Sequence, residues 1–186
     1  MSRILLPLLL AAVVMTGCVS QPPPIKPVTL YDLDTAAQML VKRMLAHPQF
    51  LANLNAAKAA KGNARLLAVL GNIGNNTTLR IQPTLDAAGE VVRAELFNSG
   101  MMDVKDDDRM ADAIQSRIVH SPDRGLETSE LVQITGTHEV PDFLVLGDCR
   151  AGLVIDGHQT YRLRLSVHNI KTGKIVWEGI QMRVKL

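Results

Sequence analysis

Aromatic residues are scarce in this 186-residue chain: three Phe, two Tyr and the single tryptophan Trp177, 3% in all. Single-stranded nucleic acids and sugars are gripped by stacking on aromatic faces, so the scarcity argues against both as ligands. An excess of positive charge is lacking as well. Lys and Arg total 20 against 18 Asp and Glu, and no basic run is dense enough to follow a phosphate backbone. Cysteine is nearly absent, Cys18 and Cys149 being the two. No apolar run approaches the ~20 residues that span a bilayer as a helix.

Catalytic and metal-binding patterns are missing too. The five histidines, His47, His120, His138, His158 and His168, have no ligand spacing, and His138-Glu139 lacks the second His of a zinc helix. No Gly-x-Ser-x-Gly elbow occurs. Gly71-Asn-Ile-Gly74 follows an apolar run but lacks the Gly-Lys-Ser/Thr ending of a phosphate loop. Asp106-x-Asp108 lacks the central ligands and glycine of a calcium loop, and reads instead as an acidic helix start. The expectation is a protein that is not an enzyme, with no cofactor, no metal, no nucleic-acid partner and no small-molecule substrate.

What the chain does carry begins at its start. Arg3 precedes the apolar block Ile4–Met15, and Thr16-Gly17 then precedes Cys18. The block is too short to cross a membrane and has the shape of a secretory signal. Small residues before a cysteine at the cut point form the signal of a bacterial lipoprotein, although that consensus prefers Leu where Met15 stands and Ala or Ser at Thr16. Residues 1–17 are thus expected to be removed, leaving 169 residues with Cys18 diacylglycerylated at their head. The mature charge balance becomes 19 to 18, because the signal contains Arg3 as its only charge. With Cys18 acylated, Cys149 has no partner for a disulfide and reads as a small hydrophobe. Residues 18–28 hold Pro22, Pro23, Pro24 and Pro27, which impose an extended tether. From Cys18 to Tyr31 it reaches at most ~40 Å. Val19 rather than Asp follows the cysteine, which points to the outer membrane.

Residues 29–186 are expected to form one periplasmic domain. Thr29 or Asp32 can cap a first helix whose stripe is Leu33, Ala37, Leu40 and Met44, with Val41 and Leu45 beside it, ending near His47-Pro48. A helix continues over 50–61. Arg65–Leu70 reads as a short buried strand closed by Gly71, with a polar loop over 71–78. Leu85, Ala88, Val92 and Leu96 mark a further helix, Met101–Val104 a brief strand, and Asp106–Asp108 opens another helix through Val119. Thr128–Val140 supports no single assignment. Asp142–Ile155 is strand-like and broken at Gly152. Along His158–Ile170, Tyr161, Leu163, Leu165 and Val167 alternate with Arg162, Arg164, Ser166 and His168. Lys171–Lys174 is a hairpin turn with Gly173 at the positive φ. Ile175–Leu186 follows, with Val176, Ile180, Met182 and Val184 read as its inner face. Alternating strands have one wet face, which favours antiparallel pairing. The fold class is α+β: one domain, a mixed or antiparallel sheet of four to five strands packed with three to four helices.

The pieces DLDTAAQMLVKRML, LAVLGNIGNNTT, AELFNSGMMDV, DFLVLGDCRAG and YRLRLSVHNIKTGKIVWEG, in this order, resemble the LpoB family of lipoproteins. The resemblance covers Tyr31–Leu186 and the lipidation signal. The Asn-Thr loop and the Thr172-Gly173-x-Ile175-x-Trp177 hairpin recur in other envelope lipoproteins with a TolB amino-terminal-like fold. Asn76, Thr77 and Trp177 also have plain structural roles open to them, in loop capping and sheet packing. The resemblance implies an outer-membrane lipoprotein that binds and activates a class A penicillin-binding protein. The alternative is an accessory lipoprotein of a secretion or flagellar assembly. The chain departs from the family in its tether, Val19 to Val28, where enteric activators carry a long disordered linker. Arg162 and Arg164, two apart on one strand, are the candidate partner-binding residues.

Overall fold

The computed structural model describes residues 30–120, 124–136, 139–155 and 158–184. The expected signal, Cys18, the tether and Thr29 lie outside these residues, as does His138.

Helix α1 (Leu30–Leu45) forms where the 3.6-residue stripe predicts it, and Leu33, Ala37, Leu40, Val41 and Met44 are all buried. Asp32 sits inside its first turn, where a carboxylate meets the positive end of the helix dipole. Pro48 then starts α2 (Pro48–Ala60), since proline suits the first helical turn and breaks an interior. Helix α2 buries Phe50 and Leu54 and leaves an exposed alanine-rich end. Strand β1 (Leu66–Asn76), α3 (Gln82–Asn98), β2 (Met102–Asp106) and α4 (Asp108–His120) follow. Asp107 caps α4, its Oδ1 accepting the Met110 N–H at 3.0 Å. The segment that supported no assignment holds α5 (Thr128–Thr135). It opens on a reciprocal Glu127–Glu130 capping box and stops at left-handed Gly136. Strands β3 (Phe143–Ile155), β4 (His158–Asn169) and β5 (Ile175–Val184) complete the chain.

The five strands form one mixed sheet in the order β2-β1-β3-β4-β5. Pairs β1–β2 and β1–β3 are parallel, whereas β3–β4 and β4–β5 are antiparallel. Helices α1, α2 and α3 close one face over a core that includes Phe50, Leu85, Phe143, Leu165 and Trp177. On the other face α4 and α5 bury a smaller cluster, among it Val69, Ile114, Leu131, Leu144 and Ile170. Each fully buried Leu, Ile or Phe stabilises by about 1.5–3 kcal/mol, so the larger cluster dominates. Asp142 ties the edges of this architecture together. Its Oδ2 accepts Lys61 Nζ at 2.6 Å and the Leu67 N–H at 3.0 Å, and its carbonyl accepts the Ile170 N–H.

Four local expectations are corrected. Gly71 does not end β1: a bulge between Leu70 and Ile73 absorbs Gly71 and Asn72, and pairing with β3 resumes to Asn76. Gly152 does not break β3, since another register shift between Ala151 and Val154 carries the strand past it. Of the inner face expected for β5, Val176 is buried but Ile180 is not. Val167 pairs with Trp177 but His168 with Ile175, so Val176 is an extra residue. Val176 and Trp177 both turn inward, and the alternation beyond them is shifted by one. Ile180 is consequently 46% exposed. In the Asn-Thr loop the capping residue is Asn75 rather than Asn76. Asn75 Oδ1 accepts from the Thr77 N–H and hydroxyl, and its amide donates to Leu79 O.

Candidate functional site

Helices α4 and α5 cover only part of their face of the sheet, packing on β1 and the start of β3. Farther along β3, and across β4 and β5, the same face carries polar side chains. Alternation puts Asp148 and Arg150 of β3, Arg162, Arg164, Ser166 and His168 of β4, and Glu178 and Ile180 of β5 on it. Their opposite neighbours Cys149, Leu163, Leu165 and Trp177 are buried under α1–α3. The hydrophobic core thus holds the charged face in register from behind.

The charges form a ladder across three strands. Arg150 Nε donates to Asp148 Oδ1 at 2.7 Å, Arg164 lies 3.8 Å from Asp148 Oδ2, and Arg164 donates to Glu178 Oε2 at 2.8 Å. Such pairs at a wet surface contribute about 0–1 kcal/mol each, so they orient side chains more than they stabilise the fold. Arg162 projects beside Arg164 and is exposed, with no carboxylate in ion-pair range among the described residues. His168 stands at the buried end of the row, its Nε2 3.2 Å from Ser166 Oγ. Burial and then the Arg164 charge push its pKa below the usual imidazole value, against a weaker opposing pull from Glu178. Behind the face, burial and then the Asp148 charge push the Cys149 thiol up to about 11, so it stays protonated.

Asp148, Arg150, Arg162, Arg164, Glu178 and Ile180 surround a shallow depression of about 180 Å³. Small-molecule sites usually enclose about 300–1,000 Å³, so this relief suits contact with another surface. Among the described residues no group of three His, Cys, Asp or Glu could hold a metal ion. No helix among them is long and apolar enough to cross a membrane. Sequence alternation found Arg162 and Arg164, and the fold brings them together on this face. It missed Asp148, Arg150, Glu178 and Ile180, which lie on neighbouring strands. The alternation of Leu144, Leu146, Asp148 and Arg150 was the available signal for two of them.

The features define a class: a single α+β domain with helices over one face of a mixed sheet and an open, charge-laddered surface on half of the other. The family described as peptidoglycan-synthase activator LpoB matches residues 32–182, and the chain belongs to that family. Solved relatives agree on the fold. The C-terminal domain of Escherichia coli LpoB superposes with a TM-score of 0.52 at 19% identity, covering 83% of this chain and 100% of that one. The Salmonella enterica LpoB C-terminal domain gives 0.51 at 18% identity with the same coverage. No curated protein matches the sequence.

Proposed function

We propose that this protein is an outer-membrane lipoprotein, anchored through Cys18, whose domain binds a class A penicillin-binding protein and raises its rate of glycan-strand synthesis. Membership of a family of peptidoglycan-synthase activators is the observation that carries this reading. The open face of β3, β4 and β5 supports a place for the contact, because Arg162 is exposed there and Arg164 is already oriented by Asp148 and Glu178. A guanidinium pairs bidentately with a carboxylate, so such a row suits an acidic partner surface. Activation then requires only that the active conformation of the synthase binds more tightly than the inactive one. Each tenfold difference in affinity shifts that equilibrium by about 1.4 kcal/mol.

The test is stimulation of a class A synthase from the same cell by the purified protein, wild type against Arg162→Glu and Arg162→Glu/Arg164→Glu. The single variant removes no ion pair among the described residues and is expected to melt like wild type while losing stimulation at least tenfold. Full stimulation by the double variant would exclude this face. No stimulation by wild type of any class A synthase of that cell would overturn the activator reading. The anchor is tested separately: Cys18→Ser should abolish palmitate labelling and leave the outer-membrane fraction, since several buried acyl chains at ~0.8 kcal/mol per methylene make an effectively permanent attachment.

A further inference from the structure

The edge of β1 that faces β2 is only half used. Strand β2 pairs with Leu66–Leu70, its last partner being Asp106, and the chain then turns away into α4. Strand β1 runs on to Asn76, held from its other side by Gly147–Arg150 of β3. On the β2 side, residues 71–76 have no strand partner among the described residues. A groove of about 530 Å³ lies along this edge, floored by Leu70–Ile73 and walled by α3 and the start of α4. Gln82 of α3 reaches into it, its Nε2 donating to Ile73 O at 3.3 Å and to Asp86 Oδ1 at 2.8 Å. A side-chain amide therefore occupies the position that the backbone N–H of an added strand would take.

We infer that this groove takes an extended, basic segment of a partner protein by strand addition beside β1. The edge supplies backbone groups for a ladder over Gly71–Asn76, about 20 Å at ~3.3 Å per residue. Charge selects the occupant. Asp86, Glu90 and Asp108 line the groove against one cation, Arg93, which is ion-paired with Glu90. Lysines or arginines on alternate positions of the incoming strand would meet the α3 carboxylates. Gly89, in the middle of that wall, has open space where a Cβ would stand, so the wall is recessed at the level where a bound strand needs room. The site lies apart from the Arg162 face and does not depend on the reading given for it.

The experiment titrates the purified protein with an acetylated, amidated heptapeptide alternating Lys with Val or Thr, followed by backbone amide shifts. Saturable shifts confined to Gly71–Asn76 and the Gln82 side chain are expected, with at least tenfold weaker binding in Asp86→Asn/Glu90→Gln. Peptide N-methylated at alternate amides should lose binding equally. Gly89→Gln tests the groove without harming the fold, because replacing a mid-helix glycine in open space raises helix propensity. It should melt no lower than wild type and bind the peptide at least tenfold more weakly. Equal binding by the N-methylated peptide would reduce the contact to diffuse attraction and overturn strand addition. Undiminished binding by Gly89→Gln, or no shifts at millimolar peptide, would also overturn it. Concentration-dependent shifts of the same amides without peptide would name a second copy as the occupant and refute the proposal.

Discussion

Replacing Asp142 with Ala should destabilise the protein more than any other single polar change in the described residues. Asp142 is 5% exposed, and its carboxylate anchors two segments at once. Its Oδ2 accepts from Lys61 at the end of α2 and from the Leu67 N–H at the head of β1, while its backbone bridges Leu67 O and the Ile170 N–H. Alanine keeps the backbone bonds and removes both side-chain bonds. Hydrogen bonds to a charged group contribute about 1.5–3 kcal/mol each. Lys61, its side chain 28% exposed, can swing into water and recover part of its solvation, whereas the Leu67 N–H is left in the protein without an acceptor. The expected loss is about 3 kcal/mol, or roughly 6–12 °C in Tm for a domain of this size. Asp142→Asn keeps an acceptor for Leu67 but not the charge facing Lys61, and should cost about half as much. Urea denaturation of wild type, both Asp142 variants and Lys61→Met would measure these. An Asp142→Ala change within about 0.5 kcal/mol of wild type, the level of an ordinary surface substitution, would refute the assignment of the Asp142 carboxylate as the tie between the end of α2 and β1.

Gly179→Ala should lower stability by about 1–3 kcal/mol, because a Cβ there would stand 2.4 Å from the Trp177 ring and 3.1 Å from Leu40; a thermal melt unchanged from wild type would contradict the packing. His168 links stability to pH. Its folded pKa lies below the ordinary 6.5, so the unfolded chain binds the proton first. This contribution is fully present above about 6.5 and is lost as pH falls through that value toward the folded pKa. His168→Gln should therefore flatten the pH dependence of the melting temperature below pH 7, and an identical slope in the variant would show that the imidazole is not desolvated.

Helical elements were the most legible in the sequence because their signal repeats within one element. Leu33, Ala37, Leu40 and Met44 recur over three turns, and burial follows that stripe residue by residue. Strand ends and faces were less legible because they depend on a neighbour. Gly71-Asn72 looks like the start of a turn, yet β3 continues past it and holds β1 in the sheet, so the two residues become a bulge. Val176-Trp177 reads as ordinary alternation, yet β4 is one residue shorter there, and the surplus turns Glu178 and Ile180 outward. Periodicity cannot report an insertion whose reference strand lies elsewhere in the chain.

The same dependence separates the two surfaces of interest. Arg162 and Arg164 share a face by the two-residue period of their own strand, so that half of the open face was readable in advance. Their carboxylate neighbours were not. Glu178 reaches Arg164 only because Ser166 pairs with Glu178 after the bulge at Val176; without that extra residue the alternation of β5 would be reversed and Glu178 would face the core. The bulge that spoiled the expected inner face of β5 is therefore also what assembles the charge ladder, and it turns Ile180 out beside it. The β1 groove shows the principle from the other side. It exists because β2 stops at Asp106 while β1 runs on to Asn76, a mismatch between two strands that no single segment contains. Local pattern sets which residues can meet a partner, and strand register decides which of them do.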